Sequence, residues 1–491
     1  MGTLPTFAQP TGWKLRTGPP GTRTEAIPAP RPGPAGRPDR LSSAARSPPS
    51  ARQLGSSAVD RDSRPHDVGR VRWRRHLSSM LAERTRNFWD PFGSPLVQFG
   101  VVISLEDLRS SDEEDAYRLA QQAFGGSDPY DPERPGVGAG RHVAAYLDGT
   151  LVAQVRRHAF GQYFGGRRLA CAGISGVTVA PQARNRNLAR RLLMTSLDRA
   201  AADGEAVAAL YPTTAALYRS VGFEVAGWWM QRGVALQELP QDDGSVTWER
   251  ADFDDARAVT VYDQMAPDHD GWLDPGPDFW TWRAIQARKD DKANRYLYIG
   301  LRDGEPVAAV QYAYGASERA MYRIDVEAIT GIDGAALRSA LAFLGANGTT
   351  ADEVRTVLPV DELELHLAHV QRTTVHQTWP WMLALVDLPR AIGARGYPPG
   401  LSGSVPLVVD DAHRPGNSGK WVLSVADGEA SLEPGGDGHI EVSITDLAAV
   451  FTGHLDPLRL ARAGRLGDPT STEIGLLRAA FAGQPSLTIF F

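Results

Sequence analysis

The sequence predicts an α+β protein of three consecutive domains, and three observations support this prediction. The chain has 491 residues, which is too long for one hydrophobic core, because domains usually span roughly 100 to 200 residues. A strand, an Asp-Gly turn and a second strand are predicted for 142–160, and the same arrangement recurs over 296–315. Short strands and helices then follow to the end. We therefore expect a duplicated unit at 99–240 and 241–384, and a distinct domain at 385–491.

Hydrophobic periodicity defines the elements of the first unit. A helix is predicted over 112–125, and the strand "GISGVTVAP" leads into a helix from about 184 to 202. A strand, a short helix and the long strand "FEVAGWWMQRGVAL" complete the unit. The apolar face of the second helix should pack on the core and leave its N-terminus free. That face consists of Leu188, Leu192, Leu193 and Leu197.

Charge is distributed unevenly along the chain. Residues 1–90 hold 16 Lys and Arg against 7 Asp and Glu, whereas the remainder holds 36 against 51. The segment 1–90 is rich in Pro, Gly and Ser and poor in large apolar residues, so it is predicted to be a disordered extension. A basic arm for nucleic acid is the alternative, but solvated tails are the commoner outcome of such composition, and no nucleic-acid partner is expected.

Composition excludes further classes of protein. No apolar run reaches the ~20 residues of a membrane-spanning helix, so no membrane partner is expected. Cys171 is the only cysteine, which excludes an internal disulfide and fits a cytoplasmic location; it should be a small buried apolar residue. His366 and His369 have ligand-like spacing, but a polar helix face is favoured and no metal is predicted. Three tryptophans are expected to serve packing: Trp272, Trp280 and Trp282.

Four arginines follow the strand at 177–179, namely Arg184, Arg186, Arg190 and Arg191. A helix N-terminus has unpaired N–H groups and a partial positive charge, which together favour phosphate binding. A solvated basic helix face is the competing explanation, and charge alone does not separate the two. The corresponding junction of the second unit, "TGIDGAALRS", has no arginine cluster. We expect the second copy to keep the shape of the first and to lack its anion site.

The stretch "VTVAPQARNRNLARR" resembles the acetyl-CoA-binding motif of the GNAT N-acetyltransferase superfamily, Gln/Arg-x-x-Gly-x-Gly/Ala, and "TTAALYRSVGF" strengthens the resemblance. The resemblance implies tandem GNAT-like domains, each a mixed sheet flanked by helices. It also implies that the free backbone edge of the strand pairs with the pantetheine amides of acetyl-CoA, and that the following N–H groups surround the pyrophosphate. The residues so implied are Val177, Thr178, Val179, Arg184, Asn185, Arg186, Asn187, Leu188, Ala189, Arg190, Thr213 and Thr214.

Asn187 stands where this family usually has glycine. If the position requires a positive φ, Asn is the next most tolerant residue and the loop can keep its shape. If glycine is needed so that the backbone can approach the phosphates, the extra side chain weakens co-substrate binding. The sequence leaves both explanations open.

Tyr218 is the implied general acid. In GNAT enzymes a tyrosine at this place protonates the departing CoA thiolate, and a phenol of pKa ~10 can donate to a thiolate of pKa ~8.5 with modest help from its surroundings. A core tyrosine on an amphipathic helix is the alternative interpretation.

The order of the three domains is similar to that of the Eis (enhanced intracellular survival) acetyltransferases: a GNAT domain, a degenerate GNAT-like domain and a domain similar to sterol carrier protein. The stretch "WMLALVDLPRAIGARGY" and a chain that ends on Phe491 add to the similarity. The resemblance implies that the terminal carboxylate of Phe491 is the general base. An ordinary closing β-strand is the simpler interpretation of "SLTIFF", and both can hold.

An acetyl-CoA-dependent N-acetyltransferase acting by direct attack of an amine is therefore the implied function. Aminoglycoside-like polycationic small molecules or lysine side chains are the implied acceptors, and a homohexamer is the implied assembly. The acidic body suits cationic acceptors. Asp112 to Asp115 could contribute, although an exposed helix face explains them more simply. The alternative function is a non-catalytic acyl-CoA-binding or lipid-binding protein of the same fold.

Overall fold

The computed structural model describes residues 96–98, 101–126, 129–131, 141–289 and 294–491. The extension predicted to be disordered, residues 1–90, lies outside these ranges. The strands are β1 (Leu96–Gln98), β2 (Val101–Asp107), β3 (His142–Leu147), β4 (Thr150–Phe164), β5 (Arg167–Val179), β6 (Val207–Leu210), β7 (Glu224–Ala235), β8 (Thr247–Ala251), β9 (Leu273–Asp274), β10 (Arg295–Arg302), β11 (Glu305–Gly315), β12 (Tyr322–Gly331), β13 (Ala351–Thr356), β14 (Thr374–Leu385), β15 (Gly403–Asp410), β16 (Gly419–Ala426), β17 (Glu429–Pro434) and β18 (Ile440–Ser443). The α-helices are α1 (Glu113–Phe124), α2 (Leu188–Ala202), α3 (Ala215–Arg219), α4 (Ala256–Met265), α5 (Pro277–Lys289), α6 (Gly334–Gly345), α7 (Val360–Glu364), α8 (Leu388–Ala394), α9 (Ile444–Phe451), α10 (Pro457–Arg462) and α11 (Ser471–Ala480).

The described strands form two sheets, as expected for an α+β protein. The larger has the order β1-β2-β3-β4-β5-β6-β14-β7-β13-β12-β11-β10-β8, with β9 paired to β4, and the smaller has the order β17-β16-β15-β18. The two predicted Asp-Gly turns join β3 to β4 and β10 to β11. Asp148 and Asp303 both have positive φ, 50° and 54°, and each precedes a glycine that also does, as type I′ hairpin turns require. The repeated hairpin is therefore confirmed.

Strand β14 lies between β6 and β7, which are consecutive strands of the first unit. Its last four residues pair antiparallel with β6, Met382 opposite Leu210 and Leu385 opposite Val207. Nearly its whole length also pairs antiparallel with β7. Strand β13 pairs antiparallel with the other side of β7. The two units thus share one sheet. The domain bounds given from the sequence remain a prediction, because local periodicity does not reveal pairing between distant strands.

Strands β5 and β6 separate after a short parallel contact. They pair only from Cys171 opposite Val207 to Gly173 opposite Ala209. A bulge follows in β5, where Gly176 has φ 61°. Between the pairs Gln154–Thr178 and Arg156–Ser175, β5 has one residue more than β4. Bulges bend the strand and end its pairing with a neighbour. The splay between β5 and β6 opens the sheet at this point.

The structure corrects two of the predicted elements. The helix predicted from about residue 184 begins at Leu188, because Asn185 and Asn187 have φ of 63° and 59°, outside helical geometry. The closing stretch "SLTIFF" is not a strand: it makes one bridge, between Ser486 and Trp228. The predicted apolar face of α2 is confirmed, since its four leucines are all at most 2% exposed.

Candidate active site

The end of β5 presents a backbone edge to the splay. Thr178 and Val179 pair with β4 on one side, and beyond Gly173 no strand in the described parts of the chain pairs with the side that faces β6. The hydroxyl of Thr178 is buried and has no hydrogen-bond partner among the described residues. This edge can therefore hydrogen-bond to the amide groups of an extended ligand, as a further strand would.

The turn before α2 leaves the N-terminus of that helix open. A 3₁₀ turn, Pro181–Ala183, ends at Arg184, and the left-handed residues Asn185 and Asn187 follow. Asn187 directly precedes α2, and its side chain makes no capping hydrogen bond. Of the two explanations for Asn187, the structure agrees with the requirement for positive φ, which Asn adopts more readily than most residues. The effect of its side chain on a bound phosphate stays open.

The arginines around this turn differ in their surroundings. Arg184 and Arg186 are exposed, whereas Arg190 donates to the backbone carbonyl of Ser220 at 3.2 Å. Arg191 is half-buried, and burial lowers the pKa of its guanidinium. Leu188 packs in the core at 2% exposure, so only its backbone N–H can meet a ligand.

A cavity of about 410 Å³ joins these elements. Its walls come from the end of α1, the end of β5, the turn before α2 and the loop after β6. The lining residues are Ala123, Phe124, Val177, Thr178, Val179, Arg184 and Thr213. Five of the twelve residues predicted to bind the co-substrate are thus brought together. Thr214, the residue before α3, is exposed and makes no side-chain capping bond.

Tyr218 lies on α3 and is 4% exposed. Its ring packs edge-on against Phe223 with centroids 6.1 Å apart. Burial raises the pKa of Tyr218 above the usual 10.0, and a hydrogen bond with Thr213 offsets part of that rise. The phenol therefore keeps its proton at neutral pH, and Thr213 connects it to the cavity.

The C-terminal segment crosses the sheet to reach the splay. Ser486 donates its N–H to the carbonyl of Asp270 and accepts at its hydroxyl from the indole N–H of Trp272 at 3.0 Å. A Cβ on Gly271 would stand 2.5 Å from the carbonyl oxygen of Ser486, so the crossing requires glycine there. A Cβ on Gly227 would stand 2.6 Å from the carbonyl oxygen of Pro485. Two glycines thus provide the path.

Tyr211, at the end of β6, anchors the last residues. Its hydroxyl lies 3.3 Å from the carbonyl oxygen of Leu487 and 3.2 Å from that of Ile489. Its ring lies 5.7 Å from that of Phe491. The four-residue loop 211–214 therefore contacts the chain end through Tyr211 and both Tyr218 and the cavity through Thr213. Sequence reasoning missed Tyr211, although its place directly after the short strand β6 was a usable signal.

The chain end meets β4 through a half-buried imidazole. The ring of Phe491 lies 6.2 Å from His158 and 5.2 Å from Phe160, both edge-on. The Nε2 atom of His158 lies 2.8 Å from the hydroxyl oxygen of Ser175 on β5. Burial, aided by the positive charges of Arg156 and others, holds the pKa of His158 well below 6.5. This imidazole is neutral, and it too was not predicted.

The remaining candidates lie apart from the cavity or serve packing. Cys171 is fully buried, as expected, and burial raises the pKa of its thiol. Trp272 is 1% exposed and stacks on Tyr262, and Trp280 and Trp282 pack against neighbouring rings, as expected. Among the described residues, no group of three or more His, Cys, Asp or Glu converges as a metal site would.

Two further side-chain groups considered from the sequence, the histidines 366 and 369 and the acidic run 112–115, do not line the cavity. His366 and His369 follow the end of α7 at Glu364, so the predicted helix face is wrong there, and His369 lies 2.8 Å from Glu238. The acidic run lies at the start of α1, where Glu114 pairs with Arg118 at 2.6 Å. The cavity lies at the other end of the same helix, roughly 16 Å away at 1.5 Å per residue.

Comparison with known proteins agrees with this geometry. An acetyltransferase (GNAT) domain model matches residues 104–226, and a sterol carrier protein domain model matches residues 388–488. An uncharacterized N-acetyltransferase of Streptomyces griseus is 27% identical over 361 residues, 67% of this chain and 84% of that protein. N-acetyltransferase Eis of Mycobacterium tuberculosis is 26% identical over 380 residues, 73% of this chain and 88% of Eis. The crystal structure of a GCN5-related N-acetyltransferase from Anabaena variabilis superposes with a TM-score of 0.74 at 26% identity, covering 79% of this chain and 100% of that one.

The fold, the cavity and these matches define an N-acetyltransferase of the GNAT superfamily that carries a sterol carrier protein domain. Within that class the chain is an Eis-like enzyme, as the sequence predicted. The GNAT domain implies acetyl-CoA as co-substrate. The open edge of β5, the uncapped N-terminus of α2 and the arginines beside it suit the amides and phosphates of that molecule. No described helix is long and apolar enough to span a membrane.

Proposed function

We propose that this enzyme transfers the acetyl group of acetyl-CoA directly to an amine, with the terminal carboxylate of Phe491 as general base and Tyr218 as general acid. The observation that carries the proposal is the loop 211–214. It touches the chain end at Tyr211, and it touches both Tyr218 and the cavity at Thr213. One short loop thus contacts the end of the chain, Tyr218 and the cavity, and these contacts support the proposal.

The co-substrate would be held by backbone groups more than by side chains. Val177 to Val179 would pair with the pantetheine amides, and the N–H groups from Asn185 to Arg190 would surround the pyrophosphate. Arg184, Arg186 and Arg190 would add positive charge, and Thr213 and Thr214 would contribute from the loop after β6. The unpartnered hydroxyl of Thr178 and the open edge of β5 support this assignment.

The proposed reaction needs three proton transfers. An amine at neutral pH is mostly protonated, so it must lose a proton before its nitrogen lone pair can attack the thioester carbonyl. The carboxylate of Phe491 would take that proton, directly or through water. The attacking nitrogen of the tetrahedral intermediate still carries one proton too many. The C–S bond would then break, Tyr218 would protonate the departing thiolate, and the extra proton of the nitrogen would pass to the phenolate of Tyr218, directly or through water, which leaves a neutral amide and restores the phenol. The raised pKa of Tyr218 keeps its phenol protonated for this role.

A thiol-release assay with acetyl-CoA and a panel of amines tests the activity, and deletion of Phe491 tests the base. The deletion leaves a carboxylate on Phe490, withdrawn by roughly 3.5 Å, and we expect kcat to fall roughly 10²- to 10⁴-fold. The matched control is Phe491→Leu, which keeps the carboxylate and the chain length and should retain most activity.

Two results would contradict the proposal. Unchanged turnover after the deletion would refute the assignment of the base. Absence of CoA release with every amine, together with no binding of acetyl-CoA by calorimetry, would leave a non-catalytic acyl-CoA-binding or lipid-binding protein of the same fold. A polycationic or lysine acceptor and a homohexamer stay predictions from the resemblance, and a cytoplasmic location stays a prediction from the single cysteine. Size-exclusion chromatography with light scattering tests the assembly.

A further inference from the structure

An arginine is buried where the C-terminal segment, residues 481–491, leaves α11. Arg395 follows α8, and it is 1% exposed. Four aromatic rings lie around its guanidinium, with centroids 5.3 to 5.9 Å from its Cζ atom, and each of the four residues is at most 6% exposed. We call these rings the arginine cage: Phe164, Tyr397, Phe451 and Phe481.

The buried charge of Arg395 needs compensation. A guanidinium away from water is stabilised by hydrogen-bond acceptors, by a negative charge or by aromatic faces. Its Nη1 donates to the backbone carbonyl of Phe451, whereas its Nε has no hydrogen-bond partner among the described residues. Burial lowers the pKa of Arg395, and the carboxylate of Asp270 opposes that shift. A neutral side chain of similar length would carry none of this cost, so packing alone does not explain the charge.

Asp270, in the second unit, contacts the C-terminal segment at two points. Its carbonyl accepts the N–H of Ser486 at 3.0 Å. Its carboxylate lies against Gly483, where a Cβ would collide with Oδ2. The other carboxylate oxygen accepts the N–H of Gly165, directly after β4, at 2.7 Å. The residue whose charge acts on Arg395 therefore also fixes the segment to the end of β4.

The first residues of the segment are held by the cage itself. Phe481 supplies one of the rings, 5.4 Å from the guanidinium. A Cβ on Gly453, in the turn after α9, would stand 2.9 Å from both the N atom of Gly483 and the carbonyl oxygen of Phe481. The chain leaves these contacts for Tyr211 and the splay. A shift at residues 481–486 would therefore displace the carboxylate of Phe491.

We propose that Arg395 is a positioning residue: through the arginine cage and Asp270 it fixes residues 481–486 and so sets the place of the terminal carboxylate of Phe491. Arg395 does not line the cavity, so it would act only through the segment. This inference rests on the proposed function, because it assumes that the carboxylate is the base. It gives the sterol carrier protein domain a part in turnover, since that domain supplies Arg395 and three of the four rings.

The first test measures turnover in Arg395→Met, with an amine that is active in the thiol-release assay. This change removes the charge and keeps an unbranched side chain. We expect kcat to fall roughly 10- to 100-fold, the cost of a small displacement of a reacting group, while the KM for acetyl-CoA stays within about twofold of the wild type. Arg395→Lys keeps a cation in the cage, and its kcat should lie between the two.

The matched control is Arg232→Met, which removes another buried arginine. Arg232 is 8% exposed and pairs with Glu364 at 3.0 Å in the second unit. Its loss should lower stability as a buried charge does when its partner is left behind. The kcat of this variant should stay within about twofold of the wild type.

The second test follows the segment without reference to turnover. Carboxypeptidase A removes an aromatic residue from a chain end that is free to leave its contacts. Release of Phe491, followed by mass spectrometry at a temperature equally far below the Tm of each protein, should be at least about 10-fold faster in Arg395→Met than in the wild type or Arg232→Met. Asp270→Asn keeps the backbone carbonyl and removes the charge. It should raise the rate of release and lower kcat several-fold, and it decides the proposal if Arg395→Met does not fold.

A double-mutant cycle separates positioning from a general loss of stability. In the protein without Phe491, Arg395→Met should lower kcat by less than about twofold further, because the carboxylate is already displaced. An equal fold-loss in both backgrounds would overturn the proposal, as would wild-type release of Phe491 from the folded Arg395→Met or Asp270→Asn protein. Unchanged turnover after deletion of Phe491 alone would refute the proposed base itself, and with it this inference, before any change at Arg395.

Discussion

Two strand-to-helix junctions that hold the same place in the order of elements differ in length and in what lies at the helix N-terminus. At the first, between β5 and α2, Asn187 has φ 59° and makes no side-chain capping bond. At the second, between β12 and α6, the carboxylate of Asp333 accepts from the N–H of Ala336 at 2.8 Å. Asp333 is also paired with Arg302 at 2.9 Å. The first helix end is open, whereas the second is occupied by its own carboxylate.

This difference shows that a strand followed by a helix does not by itself make an anion site. Both helices have unpaired N–H groups in their first turn. In α6 the carboxylate of Asp333 accepts from one of them, the N–H of Ala336, and its negative charge repels an external anion. In α2 the left-handed backbone of Asn187 turns the chain into the helix, and its side chain makes no capping hydrogen bond. The second unit thus repeats the order of strand and helix but has an occupied helix end, which agrees with the prediction that it lacks an anion site, whether lost or never present.

A parallel difference separates the helices that follow the next strands. Both α3 and α7 have five residues, and the fourth is buried in each: Tyr218 at 4% and Leu363 at 0% exposure. Leucine has no proton to give. The two units thus differ at the helix N-terminus that would bind phosphate and at the residue that would act as general acid.

Tyr218→Phe should have the largest effect of the changes that make the first unit like the second. We expect kcat to fall roughly 10²-fold or more, because a general acid is lost, while the KM for acetyl-CoA stays near that of the wild type. Burial raises the pKa of Tyr218 above 10.0, so the protonated, active form persists at lower pH. A decline of kcat that belongs to Tyr218 should therefore begin only above about pH 10 and be absent from the variant. Unchanged kcat would identify a purely structural tyrosine.

Asn187→Asp places at the first junction the kind of charge found at the second. Aspartate adopts positive φ about as readily as asparagine, so the turn should keep its shape, and repulsion of the phosphates should raise the KM for acetyl-CoA at least about 10-fold, less at high salt. Asn187→Gly is the matched control and should leave the affinity unchanged or improve it. A marked loss of affinity in the glycine variant would show that the asparagine side chain itself binds the co-substrate.

Arg184→Ala should have a smaller effect on the same constant. Arg184 lines the cavity and is exposed. The strength of its contact with a phosphate should therefore lie between that of an exposed ion pair and that of a buried charged hydrogen bond. We expect a KM for acetyl-CoA about fivefold higher. Arg302→Ala, at the second junction, is the control and should not change it. Equal effects of the two variants on KM would mean that Arg184 acts only through the general charge of the protein.

Asp333→Ala should lower the free energy of unfolding by about 1 kcal/mol, the usual cost of removing an N-cap, without affecting turnover. Chemical denaturation measures the first and the thiol-release assay the second. Arg302 holds the pKa of Asp333 below its usual 3.8, so this contribution to stability is present above pH 3.8 and is lost as the pH falls through the lowered pKa. A fall in kcat/KM for acetyl-CoA would mean that the second junction still communicates with the first.

Local sequence signals predicted much of this architecture. The Asp-Gly turns, the leucine face of α2 and the contrast between the two junctions all follow from residues close together in the chain. The α+β class and the order of the elements follow from the same kind of signal. Periodicity and turn residues suffice where the partners of a residue lie within a few positions of it.

Features built from distant residues could not be predicted in this way. The place of β14 between β6 and β7 depends on pairing across more than 150 positions of the sequence. The segment "SLTIFF" has the composition of a strand, yet its carbonyls at Leu487 and Ile489 bind the hydroxyl of Tyr211. Tyr211 gains importance only because the chain end returns to it, and His158 only because Phe491 packs on it.

The position of β14 gives the second unit a role that needs no chemistry. Strand β6, which forms one arm of the splay, is hydrogen-bonded on its other side to β14. Removal of residues 241–384 would take most of that strand away and leave β6 and β7 as unpaired edges next to the cavity. The second unit is thus a structural part of the first. A chain without residues 241–384 should lose the strand pairing that supports the cavity of the first unit.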